Sequence, residues 1–386
     1  MEKVKLGDLC SPSAGQIKED ADELIDYIDI SSVDNETKKV TGYQTVLFGE
    51  APSRARKAVK KGNILVSTVR PNLNAVAMLE DDTPNISVAS TGFCVLECKE
   101  NVDKRFVFNY CKSKAFIDDM VSQATGASYP AVSDKIVRSA TLPNYSYEEQ
   151  CEIGKVLDKV ALIIESRKGE LASLDNLIKS RFVELFGDPV SNPKGWQLKP
   201  LMEMGYCKNG MNFHAGDSGI VMHCLGVGDF KDYSIIDGTE HLPTVSLNEE
   251  PPEESMLQDG DIVFVRSNGN KALVGRCVVV YPHDTPTTYS GFCIRYRLTG
   301  KEVITSYLLR VLKADSMRKK MAGRGANIQN LNQQILASLD IPLPPIELQQ
   351  QFAAFVAQVD KSKLAVQKSL DETQQLFDSL MQQYFG

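Results

Sequence analysis

The sequence predicts an α+β protein made of two tandem α/β domains, each followed by a long helix, with the two helices forming an antiparallel intramolecular coiled coil. Three observations support this fold class. The chain repeats short motifs 199 residues apart. Each copy contains short runs rich in β-branched residues, bounded by glycine, proline and asparagine, which predict strands. Each copy also ends in a stripe of apolar residues at alternating steps of four and three, which predicts a long helix.

The repeat is visible as identical short motifs. Gly92-Phe93-Cys94 recurs as Gly291-Phe292-Cys293, and Phe186-Gly187 recurs as Phe385-Gly386. Upstream the spacing changes slightly, and we match Arg70 with Arg266, 196 residues later. Because the same unit occurs twice, we interpret the chain as two copies joined end to end.

The joint between the copies is rich in residues that end helices. Gly187, Pro189 and Pro193 lie between the end of the first apolar stripe and Trp196, the only tryptophan. Proline and glycine break a helix and allow the chain to reverse. We therefore expect the first copy to end near Gly187 and the second to begin at Trp196.

Each copy begins with about 140 residues that we expect to form an α/β globular domain. Predicted strands lie at 63–69, 75–79, 92–98, 261–267, 272–281 and 291–298, and predicted helices lie near 103–122 and 302–321.

Each copy ends in a helical segment whose apolar residues follow a heptad pattern. In the first copy these are Ile153, Leu157, Val160, Ile164, Leu171, Leu174, Ile178 and Leu185, and in the second they are Phe352, Val356, Val359, Val366, Leu370, Phe377, Leu380 and Tyr384. Such a stripe often packs into an ordinary core. A helix of about 35–39 residues would be roughly 50–58 Å long, too long for one domain to cover, so we expect the two helices to pair. Antiparallel pairing would place the domains at opposite ends, at a fixed distance.

These patterns predict five segments. They are a first globular domain at 1–143, a first long helix at 144–187, a linker at 188–195, a second globular domain at 196–342 and a second long helix at 343–386.

Composition and charge limit the possible classes. The chain has 386 residues, 42% of them hydrophobic, and a net charge of −7. Its N-terminus lacks the apolar region of a signal peptide, no apolar run is long enough to span a membrane, and none of the nine cysteines forms a CxxC motif. We therefore expect a cytoplasmic protein with reduced thiols. The net charge does not favour nucleic-acid binding, but basic residues cluster at 52–62 and 310–324.

No motif points to catalysis or to a metal. The four histidines do not follow a zinc-site spacing, and the sequence contains neither a GxxxxGK[ST] phosphate loop nor a GxSxG nucleophile motif. No pair of carboxylates is set apart as a general acid and base. We expect a protein without an active site, a metal or a cofactor of its own.

Two polar loops recur in both copies and are candidate binding sites. One follows a predicted helix, at 123–135 and 322–334, and the other follows a predicted strand, at 69–74 and 265–271. Arginine, asparagine and glutamine side chains are suited to hydrogen-bonding base edges, although asparagine and glycine also serve simply to form turns. The candidate DNA-binding residues are Arg54, Arg56, Arg70, Asn72, Asn74, Ser128, Tyr129, Arg266, Asn268, Asn270, Lys271, Arg324, Asn327, Gln329 and Asn330.

Two further stretches resemble a known family. ELFGDPVSNPKGW at 184–196 resembles the junction after the first long helix, and LDIPLPPIELQQQFAAFVAQVD at 339–360 resembles the entry into the second helix, of the specificity subunits of type I restriction–modification systems. In the first copy the PLPP-type turn is replaced by Leu142-Pro143-Asn144-Tyr145. The duplicated layout matches that family over the whole chain.

The resemblance implies a function that the periodicity alone does not. In this family each domain reads one half of a split double-stranded DNA sequence, and the paired helices act as a spacer. The subunit has no catalytic activity and binds two methyltransferase subunits, which use S-adenosylmethionine to modify an adenine in each half-site. A motor–nuclease restriction subunit completes the complex. Because the two domains carry different candidate residues, we expect an asymmetric bipartite target.

Two other interpretations remain open at this stage. The chain could be a two-headed coiled-coil scaffold that binds proteins and does not read DNA. It could also be a self-sufficient methyltransferase or nuclease, but that would require an S-adenosylmethionine loop and an Asn/Asp-Pro-Pro-aromatic motif, and the sequence contains neither.

Overall fold

A computed structural model of the chain describes residues 2–12, 16–17, 20–214, 216–230, 234–322 and 330–386. The chain divides into two compact units, one formed by Met1–Gly169 with Val366–Gly386 and the other by Glu170–Ala365. The domain boundaries inferred from sequence separate heads from helices, whereas packing assigns part of each long helix to each unit; those boundaries stay a prediction.

The first unit contains three small sheets. Its strands are β1 (Lys3–Lys5), β2 (Leu24–Ile28), β3 (Gln44–Leu47), β4 (Ala55–Ala58), β5 (Ile64–Ser67), β6 (Val76–Met78), β7 (Ile86–Ser90), β8 (Phe93–Leu96) and β9 (Thr141–Pro143). Its helices are α1 (Lys104–Lys112), α2 (Lys114–Gln123), α3 (Asp134–Ser139) and the first part of α4 (Tyr147–Phe186). The sheet orders are β3-β2-β7-β4, β6-β5-β8 and β1-β9.

The second unit also contains three sheets, of five, three and two strands. Its strands are β10 (Gln197–Pro200), β11 (Gly205–Asn209), β12 (Ile220–Leu225), β13 (Ile235–Asp237), β14 (Thr244–Leu247), β15 (Asp261–Val265), β16 (Cys277–Tyr281), β17 (Thr287–Tyr289), β18 (Cys293–Leu298) and β19 (Asp340–Leu343). Its helices are α5 (Thr305–Lys313), α6 (Asp315–Ala322), α7 (Gln333–Ala337) and the first part of α8 (Ile346–Phe385). The sheet orders are β11-β18-β15-β16-β13, β14-β12-β17 and β10-β19.

The two units share several strand pairings, in agreement with the tandem duplication, although among the described residues β4–β7 occurs only in the first unit and β11–β18 and β13–β16 only in the second. β2 pairs in parallel with β7, and β12 pairs in parallel with β17. β5 lies between β6 and β8, and β15 lies between β16 and β18. A short sheet joins the first and last strands of each head, β1 to β9 and β10 to β19.

Three of the predicted elements were wrong in detail. The strand predicted at 272–281 begins only at Cys277, because Lys271–Leu273 form a single 3-10 turn. The helix predicted at 103–122 is two helices that meet at Ser113, whose backbone is extended and whose hydroxyl oxygen accepts a bond from the Phe116 N–H. The helix predicted at 302–321 is broken in the same way at Ala314.

In the first unit, the core lies between one face of β5 and β8, the short helices and parts of the long helices. Ile153 and Leu157 of α4 are buried in the same cluster as Phe385 of α8. The Phe385 ring lies 5.2 Å from Phe106 and 5.8 Å from Tyr110, both on α1. The end of α8 thus completes the core of the first head.

In the second unit, the long helices contribute an aromatic cluster. The Phe186 ring lies 5.4 Å from Phe352 and 4.7 Å from Tyr307 of α5. Eleven positions earlier on α4, Asp175 forms a 2.7 Å ion pair with Lys363, eleven positions later on α8. The helices therefore run antiparallel here, as the sequence predicted.

A glutamine that recurs in the repeat fixes the start of each long helix. Gln150 and Gln349 are both buried. The Gln150 side-chain oxygen accepts a bond from the Asp103 N–H, and Gln349 accepts one from Ile304. Each side-chain amide also donates to a carbonyl just before its own helix, so these residues recur for a structural reason.

The joint between the copies is held by a specific contact. Gly187, just after α4, has a φ of +76°, and a side chain there would collide with the Pro193 ring. The Trp196 indole N–H donates to the Phe186 carbonyl, which would otherwise be unpaired at the helix end. The breakers therefore end the helix as predicted.

The other general features concern thiols and hydropathy. All nine cysteines are free, and burial raises the pKa of Cys94 to about 12 and that of Cys277 to about 11. Within the described ranges, no helix has the length and hydropathy needed to cross a membrane.

Candidate nucleic-acid interface

The two polar loops predicted in each copy meet at the end of the central strand of the head. In the first unit, the Val132 N–H donates to the Thr68 carbonyl at 2.9 Å. In the second, the Leu331 N–H donates to the Arg266 carbonyl at 2.8 Å. In the first head the strand-end loop and the loop after the short helices thus form one surface, and in the second head the described end of the latter loop lies against the strand-end loop.

These contacts correct the residue matching used for the repeat. The Thr68 N–H donates to the carbonyl of Gly92, whereas the Arg266 N–H donates to the carbonyl of Phe292. Structurally, Arg266 therefore corresponds to Thr68 and not to Arg70.

The Gly-Phe-Cys motif also shifts by one residue between the two heads when the strands are matched by their pairing. Phe93 is fully buried, but Phe292 is 62% exposed. One extra residue in the turn before β18 accounts for the difference, because Val66 pairs with Cys94 whereas Phe264, its counterpart on β15, pairs with Ile294.

The first-unit surface is centred on Arg70 and Tyr129. The Arg70 N–H donates to the Pro130 carbonyl at 2.7 Å, and Val69 forms a β-bridge with Ala131. The Arg70 guanidinium carbon lies 4.8 Å from the centre of the Tyr129 ring, which is a cation–π distance. The structure thus brings together two predicted residues that are 59 positions apart in sequence.

Other candidate residues of the first unit have different environments. Arg54 is exposed, and its carbonyl accepts a bond from Thr91, next to Gly92 on the same surface. Asn72 and Ser128 are exposed in the two loops. Arg56 lies on β4 with its guanidinium over the Phe48 ring at 5.0 Å, so it packs against the turn that follows β3.

Asn74 has a structural role. It is only 7% exposed, and its side-chain amide donates to the Cys111 carbonyl at 2.9 Å, near the end of α1. Its own carbonyl accepts a bond from the Lys38 ammonium, whose pKa is lowered by burial, with Asp34 opposing that effect. Asn74 therefore holds the turn against α1, and its side chain is not exposed for contact with DNA.

The second-unit surface carries a different set of groups. Arg266 is half-buried and its guanidinium donates to the Gly291 carbonyl at 3.3 Å. Asn268 and Asn270 shape the following turn by accepting backbone N–H bonds, and Lys271 is exposed beside them. Arg318 of α6 braces this turn by donating to the carbonyls of Ala272 and Val274.

The loop after α6 is only partly described. Asn330 is exposed next to Leu331, which contacts Arg266. Three predicted residues, Arg324, Asn327 and Gln329, lie outside the described residues.

Sequence reasoning missed two exposed residues of the second-unit surface. The repeat matched Phe292 with Phe93, which is buried in the structure. Nothing in the sequence indicated the extra residue that exposes Phe292. Asn212 is exposed next to Met211, whose backbone forms a bridge with Ser290. Both residues lie beside Arg266 in the fold, although they are distant from it in sequence.

Neither surface has the composition of a metal site. Among the described residues, no group of three or more histidine, cysteine, aspartate or glutamate side chains could hold a metal ion. The exposed groups are guanidinium, ammonium, amide, hydroxyl and aromatic, which can hydrogen-bond to or stack against a ligand.

Comparison with known families decides what kind of protein this is. The family described as "Type I restriction modification DNA specificity domain" matches residues 1–176 and 230–374, which is more than half of the chain. The chain belongs to this family of type I restriction–modification DNA specificity subunits. The resemblance noted in the sequence is therefore confirmed.

Two curated relatives indicate how distant the known members are. The chain is 23% identical to the StySPI specificity subunit of Salmonella potsdam over 310 residues, which cover 75% of this chain and 66% of that protein. It is also 23% identical to the MjaVIII specificity subunit of Methanocaldococcus jannaschii over 295 residues, 71% of this chain and 67% of that protein. The match thus spans about two thirds of the length of these relatives.

Solved structures share the fold. A chain from a study of complex assembly and conformational transition of the type I restriction–modification system has a TM-score of 0.60 and 22% identity, covering all of this chain and 97% of that one. A type I specificity subunit from M. genitalium has a TM-score of 0.56 and 15% identity, covering all of this chain and 96% of that one.

Proposed function

We propose that this chain is the non-catalytic sequence-reading subunit of a type I restriction–modification complex, and that it reads an asymmetric, bipartite DNA site with one head for each half. The observation that carries the proposal is the duplicated head with unlike groups at the equivalent strand end. The half-buried Arg266 and the exposed Phe292 of the second head stand where the first head has the buried Thr68 and the half-buried Gly92. The first head exposes Arg70 and Tyr129 beside them. Different groups at one position of the same scaffold would select different bases.

Charge supports this reading despite the net charge of −7. Arg54 and Arg70 in the first head, and Arg266 and Lys271 in the second, place cationic side chains at the candidate surfaces. Contacts to phosphate supply most of the affinity of DNA-binding proteins. We propose that partner subunits provide many of those contacts.

Family membership is the support for partner subunits. The long helices also expose single apolar side chains, since Leu162 and Val183 on α4 are 63% and 57% exposed, and Leu364 and Leu376 on α8 are 73% and 52% exposed. Single exposed apolar residues are common on protein surfaces and do not by themselves mark a docking site. We propose that two methyltransferase subunits, which bind S-adenosylmethionine, and a restriction motor–nuclease subunit assemble with this chain.

Expression with the cognate methyltransferase subunit, followed by sequencing of modified bases in the host DNA, tests the proposed function. We expect modified adenines in a motif with two short defined halves separated by a gap of fixed length and undefined sequence. An uninterrupted motif, or a motif with one defined half, would contradict bipartite reading. The absence of any sequence-dependent modification, together with no salt-sensitive shift of DNA in a gel, would favour a protein-binding scaffold.

A further inference from the structure

The most informative feature of the first-unit surface is the pair formed by Arg70 and Tyr129. Tyr129 is 69% exposed, and the Arg70 guanidinium lies against its ring. Arg70 is itself exposed and, within the described part of the chain, has no carboxylate partner. Its hydrogen-bond donors are therefore free to reach a ligand while the ring restricts the orientation of the guanidinium.

The backbone holds this pair in place from both sides. On one side, the Arg70 N–H is bonded to the Pro130 carbonyl. On the other, Thr125 and Ala131 close the Tyr129 loop through a pair of backbone bonds of 3.0 and 2.9 Å. Gly126 has a φ of +102°, and a side chain there would lie 2.9 Å from the Tyr129 carbonyl oxygen. The backbone segments that carry the ring and the guanidinium are thus held next to each other.

Arg70 also has an uncommon backbone conformation. Its φ of 49° and ψ of 61° place it in the left-handed region, which arginine seldom adopts. Asn74, at the other end of the short turn, is also left-handed, and its amide anchors the turn to α1. Residues in such conformations concentrate at ligand-binding sites because the surrounding structure must hold them there.

We propose that Arg70 reads a guanine in the half-site recognised by the first head, and that Tyr129 is the positioning residue that orients its guanidinium. The planar guanidinium fork matches the N7 and O6 acceptors that guanine presents in the major groove. A carboxylate-free, ring-supported arginine is better suited to this than to a structural ion pair. This inference rests on the proposed function and adds to it a particular base and a particular residue.

The competing role for Arg70 is contact with phosphate. An arginine on phosphate strengthens binding to all sequences and adds to the salt dependence of binding. Lysine can replace arginine on phosphate as a point charge, but it lacks the two-pronged donor geometry needed for guanine. Arg70→Lys therefore separates the two roles. Comparison of Tyr129→Phe, which keeps the ring, with Tyr129→Ala, which removes it, tests whether the ring positions the guanidinium.

The test uses the full complex with its methyltransferase partner. First, sequencing of modified host DNA defines the motif of the parent complex. Binding of the purified complex is then measured on duplexes that carry each possible base at each defined position. Arg181→Lys on α4 serves as the matched control, because it makes the same substitution away from the surface, and thermal unfolding of each variant checks folding.

We expect the parent complex to require guanine at one position of one half-site. Arg70→Lys and Tyr129→Ala should lower the preference for that guanine about ten- to a hundredfold and leave the other half-site unchanged. Tyr129→Phe and Arg181→Lys should keep the preference.

Two results would overturn the inference while leaving the proposed function in place. One is a bipartite motif in which neither half contains a guanine affected by Arg70→Lys. The other is equal weakening on all duplexes, with a smaller salt dependence and an unchanged motif, which would assign Arg70 to phosphate. A parent complex with no split motif would instead contradict the proposed function itself, and this inference with it.

Discussion

At the scale of single residues, the turn after β5 contains both exposed and buried polar side chains within five positions. Arg70 and Asn72 are exposed, whereas Asn74 is buried and satisfies the Cys111 carbonyl near the end of α1. The sequence grouped all three residues as candidate contacts, because an Asn-rich turn after a strand has the same composition in either role. Only the fold of the chain around α1 distinguishes them.

Asn74→Ala should lower the free energy of unfolding by about 1–3 kcal/mol, because it leaves a buried carbonyl without its donor and places alanine in a left-handed conformation. Chemical denaturation followed by circular dichroism measures this. Asn72→Ala is the matched control and should change stability by less than about 0.5 kcal/mol, since Asn72 is exposed. Similar losses for both variants would show that Asn74 is not the anchor of the turn.

The second-unit surface marks the limit of residue-level prediction. Sequence identity matched Phe93 with Phe292 and Arg70 with Arg266, but strand pairing matches neither. A single extra residue before β18 turns a buried aromatic into an exposed one. A one-residue insertion in a turn does not change the alternation of apolar and polar residues within either flanking strand. It can therefore be recognised only when the pairing register of both strands is known.

At the scale of elements, most of the fold was predictable because the long helices and central strands carry strong periodic patterns. α4 and α8 were predicted from their apolar stripes. In the first turn of each helix, the side-chain amide of a buried glutamine donates a hydrogen bond to a backbone carbonyl just before the helix. The break at Ser113 was missed, because serine within an apolar pattern is compatible with a continuous helix. There the serine side chain starts a second helix instead of continuing the first.

The pairing of the long helices in the second unit is set by apolar contacts and by a small charged group. Asp175 and Lys363 form an ion pair at 2.7 Å, with Asp360 and Arg310 nearby. Burial raises the pKa of Asp360, and Arg310 and Lys363 oppose that rise. The charges therefore favour one register of the two helices over its neighbours.

A double-mutant cycle with Asp175→Asn and Lys363→Met should give a coupling energy of about 0.5–1 kcal/mol, since the pair is partly exposed and screened by solvent. Chemical denaturation of the four proteins measures it. The same cycle on Lys368 and Glu372, an exposed pair within α8 at 4.0 Å, should give less than about 0.5 kcal/mol. Equal coupling in the two cycles would contradict a contact between the helices at this register.

At the scale of the whole molecule, the duplication is the property from which the proposed function follows. Two copies of one head, with different groups at the same strand end, are suited to reading two different half-sites. Each long helix contributes residues to both compact units, and each has 40 residues, or about 60 Å of helix. We propose that this length sets the unread gap in the DNA target.

The whole-molecule plan was predictable from sequence because a repeat is detectable without knowing any local structure. The target bases were not, because they depend on the placement of a few loop residues. Thr68, Gly92, Arg266 and Phe292 acquire their relation to one another only through strand pairing and backbone contacts.

The most direct test of the central claim is to lengthen both helices together. Seven residues that continue the heptad pattern are inserted after Gly169 in α4 and after Ala365 in α8, where the two units divide, and modified bases are sequenced in a host that carries the methyltransferase partner. Seven residues add about 10.5 Å of helix, so we expect both half-sites to be retained and the gap to grow by about three base pairs. Retention of the original gap with full modification would contradict the account. As a control, substitutions next to the two insertion points that leave the length of both helices unchanged should leave the motif and its gap unchanged.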